Sequence, residues 1–471
     1  MRKLVIDGSN TSGFQRTALV ALSGALPDGC RVETICLEEE AAQRVEDETF
    51  SLDRLGIPLI EITTAPCMHT PEAVQKVAGH IGMVLRSTGR VKRGLGTIRQ
   101  DINVSIADGA RVEIKGVQEL DLIAEVVRRE AERQVNLLAI RDELRARGAR
   151  VDHNVVDVTA LFAGTASSIL KKAKSILAIR LCGFAGLVGR EIQPDRRLGS
   201  EMSDYAKKCG VGGIFHTDEL PAYGVTAEEV ARLREFVGAG EEDCVAIVAA
   251  TRQRAGCAAE QVMIRAEMAI SGVPEETRKM LEEGSTAYMR PLPGAARMYP
   301  ETDVFVVAID EPFWESIAVP ELLTDRAERF VREFGLDEAL ARQVAFSERL
   351  PTFEAAVAAG VRPTLAARTL LATCRELARD GVDVGRVSED EILALLSAAR
   401  PGGPPKRRSR ISSPNSRGPP EAPGHPENGW MRPSRRWGPP SRRRTWRRSC
   451  AVSWPSARRS PGKRVWARSA P

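Results

Sequence analysis

Residues 97–115 constrain the fold more than any other stretch of this chain. Thr97-Ile-Arg-Gln-Asp-Ile-Asn-Val-Ser-Ile and Arg111-Val-Glu-Ile-Lys alternate apolar and polar residues on either side of Asp108-Gly109. Period-two alternation is the signature of a strand, and Asp-Gly between two such runs marks a hairpin. One face collects Ile98, Ile102, Val104, Ile106, Val112 and Ile114. The other collects Arg99, Asp101, Asn103, Ser105, Glu113 and Lys115, either as the wet side of an antiparallel sheet or as the lining of a site.

The neighbouring segments supply a frame. Leu55 to Thr64 reads as a short strand, with Pro58 placing its start at or near a sheet edge and Glu61 facing away from Ile60 and Ile62. Val32 to Leu37 reads as another strand, running into Glu38, Glu39 and Glu40. Carboxylates there, with Glu61, suit Mg²⁺, which prefers oxygen ligands; the alternative is an acidic first turn of a helix. Thr70-Pro-Glu opens a helix reaching about Ser87, and 119–147 forms an amphipathic helix stopped at Gly148. Near the N-terminus, Asp7 to Gly13 is a Gly/Ser/Asn-rich loop, either an ordinary turn or a source of backbone N–H groups for a phosphate.

Further on, a strand is expected near Val155 to Val158, then a basic helix from Ile169 to Ser175. Its Lys171, Lys172 and Lys174 either meet phosphate or form a solvated face. Gly and Pro punctuation brackets a module inserted at about 185–290, with helical segments expected from Ala227 to about Glu283. His216 within it reads as a structural histidine, since no second His or Cys lies near it at metal spacing. Residues 320–400 read as short helices, with Ser388-Glu-Asp-Glu391 a capping box.

Composition separates the end of the chain from the rest. The net charge is +5, but residues 401–471 hold 18 Lys/Arg against two Glu, a net of +16, which leaves −11 for residues 1–400. The same 71 residues carry 14 of the 28 prolines and almost no Leu, Ile or Val, so they are expected to be disordered. The nine scattered cysteines lack a C-x-x-C pair, which points to reduced thiols, and no apolar run reaches spanning length, so a soluble cytoplasmic protein without membrane partners is expected.

Several long motifs in order give the sequence a family resemblance. Arg2-Lys-Leu-Val-Ile-Asp-Gly-Ser-Asn-Thr-Ser-Gly-Phe-Gln-Arg-Thr, Gly56-Ile-Pro-Leu-Ile-Glu-Ile, Gly96-Thr-Ile-Arg-Gln-Asp-Ile-Asn-Val-Ser-Ile and Val112-Glu-Ile-Lys-Gly resemble the GatE chain of archaeal glutamyl-tRNA(Gln) amidotransferases, of the GatB/GatE family. The module's Gly189-Arg-Glu-Ile-Gln-Pro-Asp-Arg-Arg-Leu-Gly-Ser-Glu and Phe215-His-Thr-Asp-Glu-Leu-Pro-Ala-Tyr-Gly resemble the insertion of bacterial-type aspartyl-tRNA synthetases.

The resemblance implies an α+β fold. A partial antiparallel-sheet cradle (1–184 and 291–319) would hold the inserted aspartyl-tRNA-synthetase-like module (185–290), followed by a helical domain (320–400) and a disordered basic tail (401–471). It also implies an ATP-dependent carbon–nitrogen ligase with glutamine as amide donor. Such an enzyme phosphorylates the glutamyl side chain of misacylated Glu-tRNA(Gln) and forms Gln-tRNA(Gln) with ammonia from an asparaginase-like amidotransferase partner (GatD), with which it makes a heterodimer. By motif, Glu39 and Glu61 would bind Mg²⁺, while Arg99, Asp101, Asn103, Glu113 and Lys115 would line the pocket for ATP phosphates and the aminoacyl end. Lys171, Lys172, Lys174, Arg190, Arg196 and Arg197 are the expected tRNA contacts.

Two departures from the family pattern stand out. A Gly-Leu-Glu-Ile-His-type segment with further metal ligands is expected upstream of Met1, and residues 401–471 match nothing in the family. The tail is expected to be an out-of-frame reading of a GC-rich gene, the alternative being a basic RNA-binding arm. A non-catalytic tRNA-binding remnant is the competing reading of the whole, and an aminoacyl-tRNA synthetase fragment ranks last because class-II core motifs are absent from the sequence.

Overall fold

The computed structural model describes residues 1–398 except 5–13, 41, 47–48, 93, 95, 293–297 and 301–304. The Gly/Ser/Asn-rich loop and the basic tail therefore lie outside the described residues. The chain divides into Met1–Pro404 and Pro405–Pro471.

The chain begins with β1 (Arg2–Leu4), β2 (Phe14–Ala25), β3 (Arg31–Glu39), β4 (Gln43–Glu46), β5 (Thr49–Ser51) and β6 (Pro58–Thr64). β1, β2, β3 and β6 are neighbours in one antiparallel sheet, with β6 at its edge, where Pro58 can forgo a ladder hydrogen bond. α1 (Pro71–Ser87) starts as the sequence requires, with Thr70 Oγ1 accepting the Ala73 N–H and Pro71 in the first turn.

β7 (Gln100–Val104) and β8 (Val112–Val117) form the expected hairpin, with Ile102 opposite Ile114, Asn103 opposite Glu113 and Val104 opposite Val112. Its first strand starts at Gln100, not Thr97, so Ile98 and Arg99 precede the ladder. Asp108 takes the left-handed conformation (φ 60°). Gly109 is required by close approach instead: a Cβ there would lie 2.3 Å from Gln134 Oε1. α2 (Leu120–Ala146) packs Ile123 and Val126 on the hairpin's apolar face and ends before Gly148, which is left-handed.

β9 (Arg150–Val151) and β10 (Val156–Asp157) each pair antiparallel with β11 (Ser175–Cys182) in the next sheet. The basic helix expected at 169–175 is corrected to a single 3-10 turn, Leu170–Lys172. Ser175-Ile-Leu-Ala-Ile-Arg-Leu-Cys is an apolar run that gains more as a doubly covered strand, and it claims the end of that segment. Then follow β12 (Glu191–Gln193), β13 (Arg196–Arg197), α3 (Leu198–Lys207), β14 (Phe215–His216), α4 (Ala227–Phe236), β15 (Cys244–Ala250) and α5 (Arg252–Ser271). β11 pairs along its length with β15, so one sheet spans the expected 184/185 boundary.

The helical reading of 227–283 is corrected at two places. Cys244–Ala250 is a strand, and so is β16 (Glu276–Met280), which pairs parallel with β8 and antiparallel with β17 (Thr286–Pro291). Short apolar runs do not reveal helix or strand by periodicity, and here a waiting strand edge decides. β18 (Met298–Tyr299) returns to pair with β1. The helical region comprises α6 (Glu311–Glu315), α7 (Leu323–Phe334), α8 (Glu338–Ala345), α9 (Leu350–Ala358), α10 (Pro363–Arg368), α11 (Cys374–Arg379) and α12 (Glu389–Ala398). Phe330 and Phe353 anchor its core, and the Ser388–Glu391 capping box forms as expected.

The expectation of reduced thiols throughout is also corrected. Cys30 is bonded to Cys67 and Cys209 to Cys257. Pairing of β3 with β6 makes neighbours of residues just beyond their ends, and α3 packs on α5. Cysteine spacing alone therefore gives no basis for assigning a reducing compartment. No helix among the described residues is long and apolar enough to cross a membrane.

Candidate functional site

The acidic cluster is sorted by strand register. Glu61 stands opposite Cys36 and Glu39 opposite Pro58, so alternation puts Cys36, Glu38 and Glu61 on one face of the β3–β6 ladder and Glu39 on the other. Glu38 accepts hydrogen bonds from Gln15 Nε2 (3.0 Å) and Thr17 Oγ1 (2.9 Å). Burial pushes the Cys36 thiol above its ordinary value; a hydrogen bond with Thr34 opposes this, and the charges of Glu61 and Glu38 add to it. Glu39 instead pairs with Arg16 at 3.1 Å.

The expected pair, Glu39 with Glu61, is thus not brought together. By register it is Glu38, not Glu39, that shares a face with Glu61. The three consecutive glutamates gave no way to choose before the register with β6 was known.

The hairpin does gather its polar face. Lys115 Nζ lies 2.5 Å from Asp101 and 3.2 Å from Glu113, and Thr277 of β16 donates to Glu113 at 2.8 Å. Burial works against the Lys115 charge, but Asp101 and Glu113 outweigh it and raise its pKa above the ordinary lysine value. Asn103 is exposed opposite Glu113. Arg99, ahead of the strand, pairs with Glu40 at 2.5 Å, and Arg54 donates to Gly96 O at 3.1 Å; these contacts tie the approach to the hairpin to the end of β3 and the turn before β6.

The expected tRNA cations fall into two groups. Lys171, Lys172, Lys174 and Arg197 are exposed. Arg190 pairs with Glu143 at 2.8 Å and Arg196 with Asp204, so both spend charge locally. Arg196, Arg197, Ser200 and Lys207 line one side of a cleft of about 370 Å³ beside His216.

A second constellation went unread in the sequence. Arg133, Arg265 and Arg278 meet Glu130, Glu201 and Glu276, all essentially without solvent contact, where α2, α3, α5 and β16 converge. Burial opposes the charge on Glu201, yet Arg133, Arg278 and Arg265 hold its carboxyl well below the ordinary range. Such residues are scattered over more than 140 positions and look individually like surface charges. Charge balance, three against three, is visible only after folding.

These features define an α+β protein with several antiparallel sheets, polar residues gathered on sheet faces and a buried network of ion pairs where α2, α3, α5 and β16 converge. The model of the GatB/GatE catalytic domain matches residues 1–315, and the chain belongs to that family. It is 67% identical over 396 residues to the GatE chain of the glutamyl-tRNA(Gln) amidotransferase of Methanospirillum hungatei, covering 84% of this chain and 64% of that protein. To the corresponding chain of Methanosarcina barkeri it is 54% identical (84% and 65% covered), and to that of Archaeoglobus fulgidus 55% (84% and 65%). The chain thus spans a little under two thirds of the length of these relatives.

Proposed function

We propose that this chain carries the ATP-dependent phosphorylation and transamidation site of a tRNA-dependent amidotransferase, acting on Glu-tRNA(Gln) to give Gln-tRNA(Gln). The observation that carries the reading is membership of the GatB/GatE family over residues 1–315. Ammonia would come from an asparaginase-like partner, GatD, in a cytoplasmic heterodimer.

The donor set fits a hard cation. Glu38 and Glu61 offer carboxylates from one sheet face, which suits Mg²⁺ sharing its remaining positions with water and phosphate. Bound there, the ion would neutralise charge on the transferred phosphoryl group. Glu38 takes the role expected of Glu39. Lys115, kept charged by Asp101 and Glu113, is the cation the hairpin offers to phosphate, and Arg99 with Asn103 would help to orient the aminoacyl end. Lys171, Lys172, Lys174 and Arg197 would meet the tRNA backbone, with smaller contributions from Arg190 and Arg196. The proposed division keeps a cradle, an inserted module and a helical domain, with the β11–β15 pairing favouring a module that reaches back to about residue 150.

The test is tRNA-dependent ADP release from ATP with Glu-tRNA(Gln), Mg²⁺ and the partner amidase. Glu38→Gln and Glu61→Gln should each lower the rate by about 10²-fold or more, as loss of one electrostatic stabiliser does. Glu39→Gln should cost less than either. Binding of tRNA with no phosphorylation would favour the non-catalytic, tRNA-binding reading.

A further inference from the structure

Another set of ligand-type side chains lies at β14 and β15 of the β10–β11–β15–β14 sheet. β14 ends on His216, which stands opposite Ala246 of β15. Alternation puts Cys244, two residues earlier, on the same face, and the turn after β14 brings in Asp218. One ligand atom from each of His216, Asp218 and Cys244 lies within 4.8 Å of the other two.

The histidine is the informative member. Its side chain is 5% exposed, and Nδ1 has no hydrogen-bond partner. A Cβ on Gly199 would come within 2.9 Å of both Nε2 and Cδ2, so the chain packs on that edge of the ring and Nδ1 lies on the other. Nε2 faces Glu219 Oε2 at 3.7 Å. A buried imidazole nitrogen without a hydrogen-bond partner calls for a ligand, and the Glu219 carboxylate near Nε2, though beyond hydrogen-bond distance, adds negative charge on the other side of the ring.

The remaining ligands are oriented too. Asp218 Oδ2 accepts the Gly189 N–H at 3.0 Å, and Thr217 Oγ1 donates to Cys244 Sγ at 3.5 Å while accepting the Val245 N–H.

We propose that His216, Asp218 and Cys244 form a site for a divalent transition metal of the Zn²⁺ class, clamping the β14–α4 connection to β15. Nitrogen, oxygen and sulfur donors select Zn²⁺ over Mg²⁺ or Ca²⁺. Tetrahedral Zn²⁺ needs donor atoms roughly 3.3–3.8 Å apart, so the trio would close by about 1 Å on loading. On ligation the Cys244 S–H bond breaks, its proton passes to solvent and the S–metal bond forms; thiolate and carboxylate then balance the ion's charge. His216 also borders the cleft, along the Gly199 and Glu219 edge of its ring, whereas Nδ1 and Cys244 are buried, so a metal bound there would be enclosed by the chain. The proposal is independent of the amidotransferase reading.

The test uses the full chain stripped of metal, with Zn²⁺ titrated by calorimetry and Co²⁺ as the optical probe. One equivalent of Zn²⁺ should bind, with release of a proton. Co²⁺ should give a thiolate-to-metal charge-transfer band that Zn²⁺ abolishes and excess Mg²⁺ does not. Cys244→Ser should lose the band, and Asp218→Asn, which preserves size, should weaken Zn²⁺ binding at least tenfold with unchanged circular dichroism. Cys36→Ser should retain both signals. Absence of stoichiometric Zn²⁺ binding, or a band that survives Cys244→Ser and vanishes in Cys36→Ser, would overturn the assignment.

Discussion

Two antiparallel sheets in this molecule are built on opposite terms. In β11, seven of eight residues are buried, and β15 beside it carries five buried residues in a row, with helices and loops covering both faces. In β2, none of twelve residues is buried, and Leu19, Leu22, Leu37 and Ile60 of the β2–β3–β6 sheet stay substantially exposed. The covered sheet stores stability through apolar burial and complete backbone pairing. The open one leaves Gln15, Thr17 and Glu38 half-buried and Glu61 exposed. Reactive polar groups need access to water and substrate, and a sheet closed on both faces cannot offer it.

The comparison is broken most severely at the buried network where α2, α3 and α5 meet β16. Arg278→Met leaves three buried carboxylates facing two guanidiniums and should cost about 3–5 kcal/mol, read from the urea midpoint of unfolding. Thr277, next to Arg278, bonds Glu113, so this variant should also loosen the polar hairpin face.

The same network sets an acid response. Because the folded pKa of Glu201 lies below its unfolded value, its contribution is complete above the ordinary carboxylate range, roughly pH 4–5, and is lost as pH falls through and below that range. Acid titration followed by near-ultraviolet circular dichroism should show the signal of the stacked Tyr205 and Tyr288, beside Glu276 of this network, lost as pH falls below about 4.

Hydrogen exchange sharpens the contrast at a finer scale. Amides of β11 and β15 should exchange at least ~10-fold more slowly than those of β2 and β6, because the open sheet needs only local fluctuation to admit water. A uniform rate across both sheets would contradict the distinction. The smallest effect is expected at the α4 cap. Thr226 accepts from the Glu229 N–H and Glu229 from the Thr226 N–H, so Thr226→Ala should cost about 1 kcal/mol and leave exchange in β2 and β6 unchanged.

How much of this was legible beforehand follows from the range of the interactions. The 100–117 hairpin, the Thr70 and Ser388 caps and the stop at Gly148 are written in neighbouring residues, since alternation, capping and left-handed glycine act within a few positions. β15 and β16 were misread as helix because seven or five apolar or mixed residues hold no decisive period, and a partner strand made the choice. Cys244 lies 28 positions beyond His216 and comes beside it only through the β14–β15 ladder, a relation that no local spacing in the sequence contains.

Sequence by itself determined the family, the local elements and the residue types available for chemistry, because each is encoded in a contiguous motif or a short period. Tertiary structure alone decided that Glu38 and not Glu39 shares a face with Glu61, that three arginines and three glutamates cancel in the interior, and that His216 meets Asp218 and Cys244. Strand register and helix packing set those relations, and a one-residue change in register would send every side chain to the opposite face.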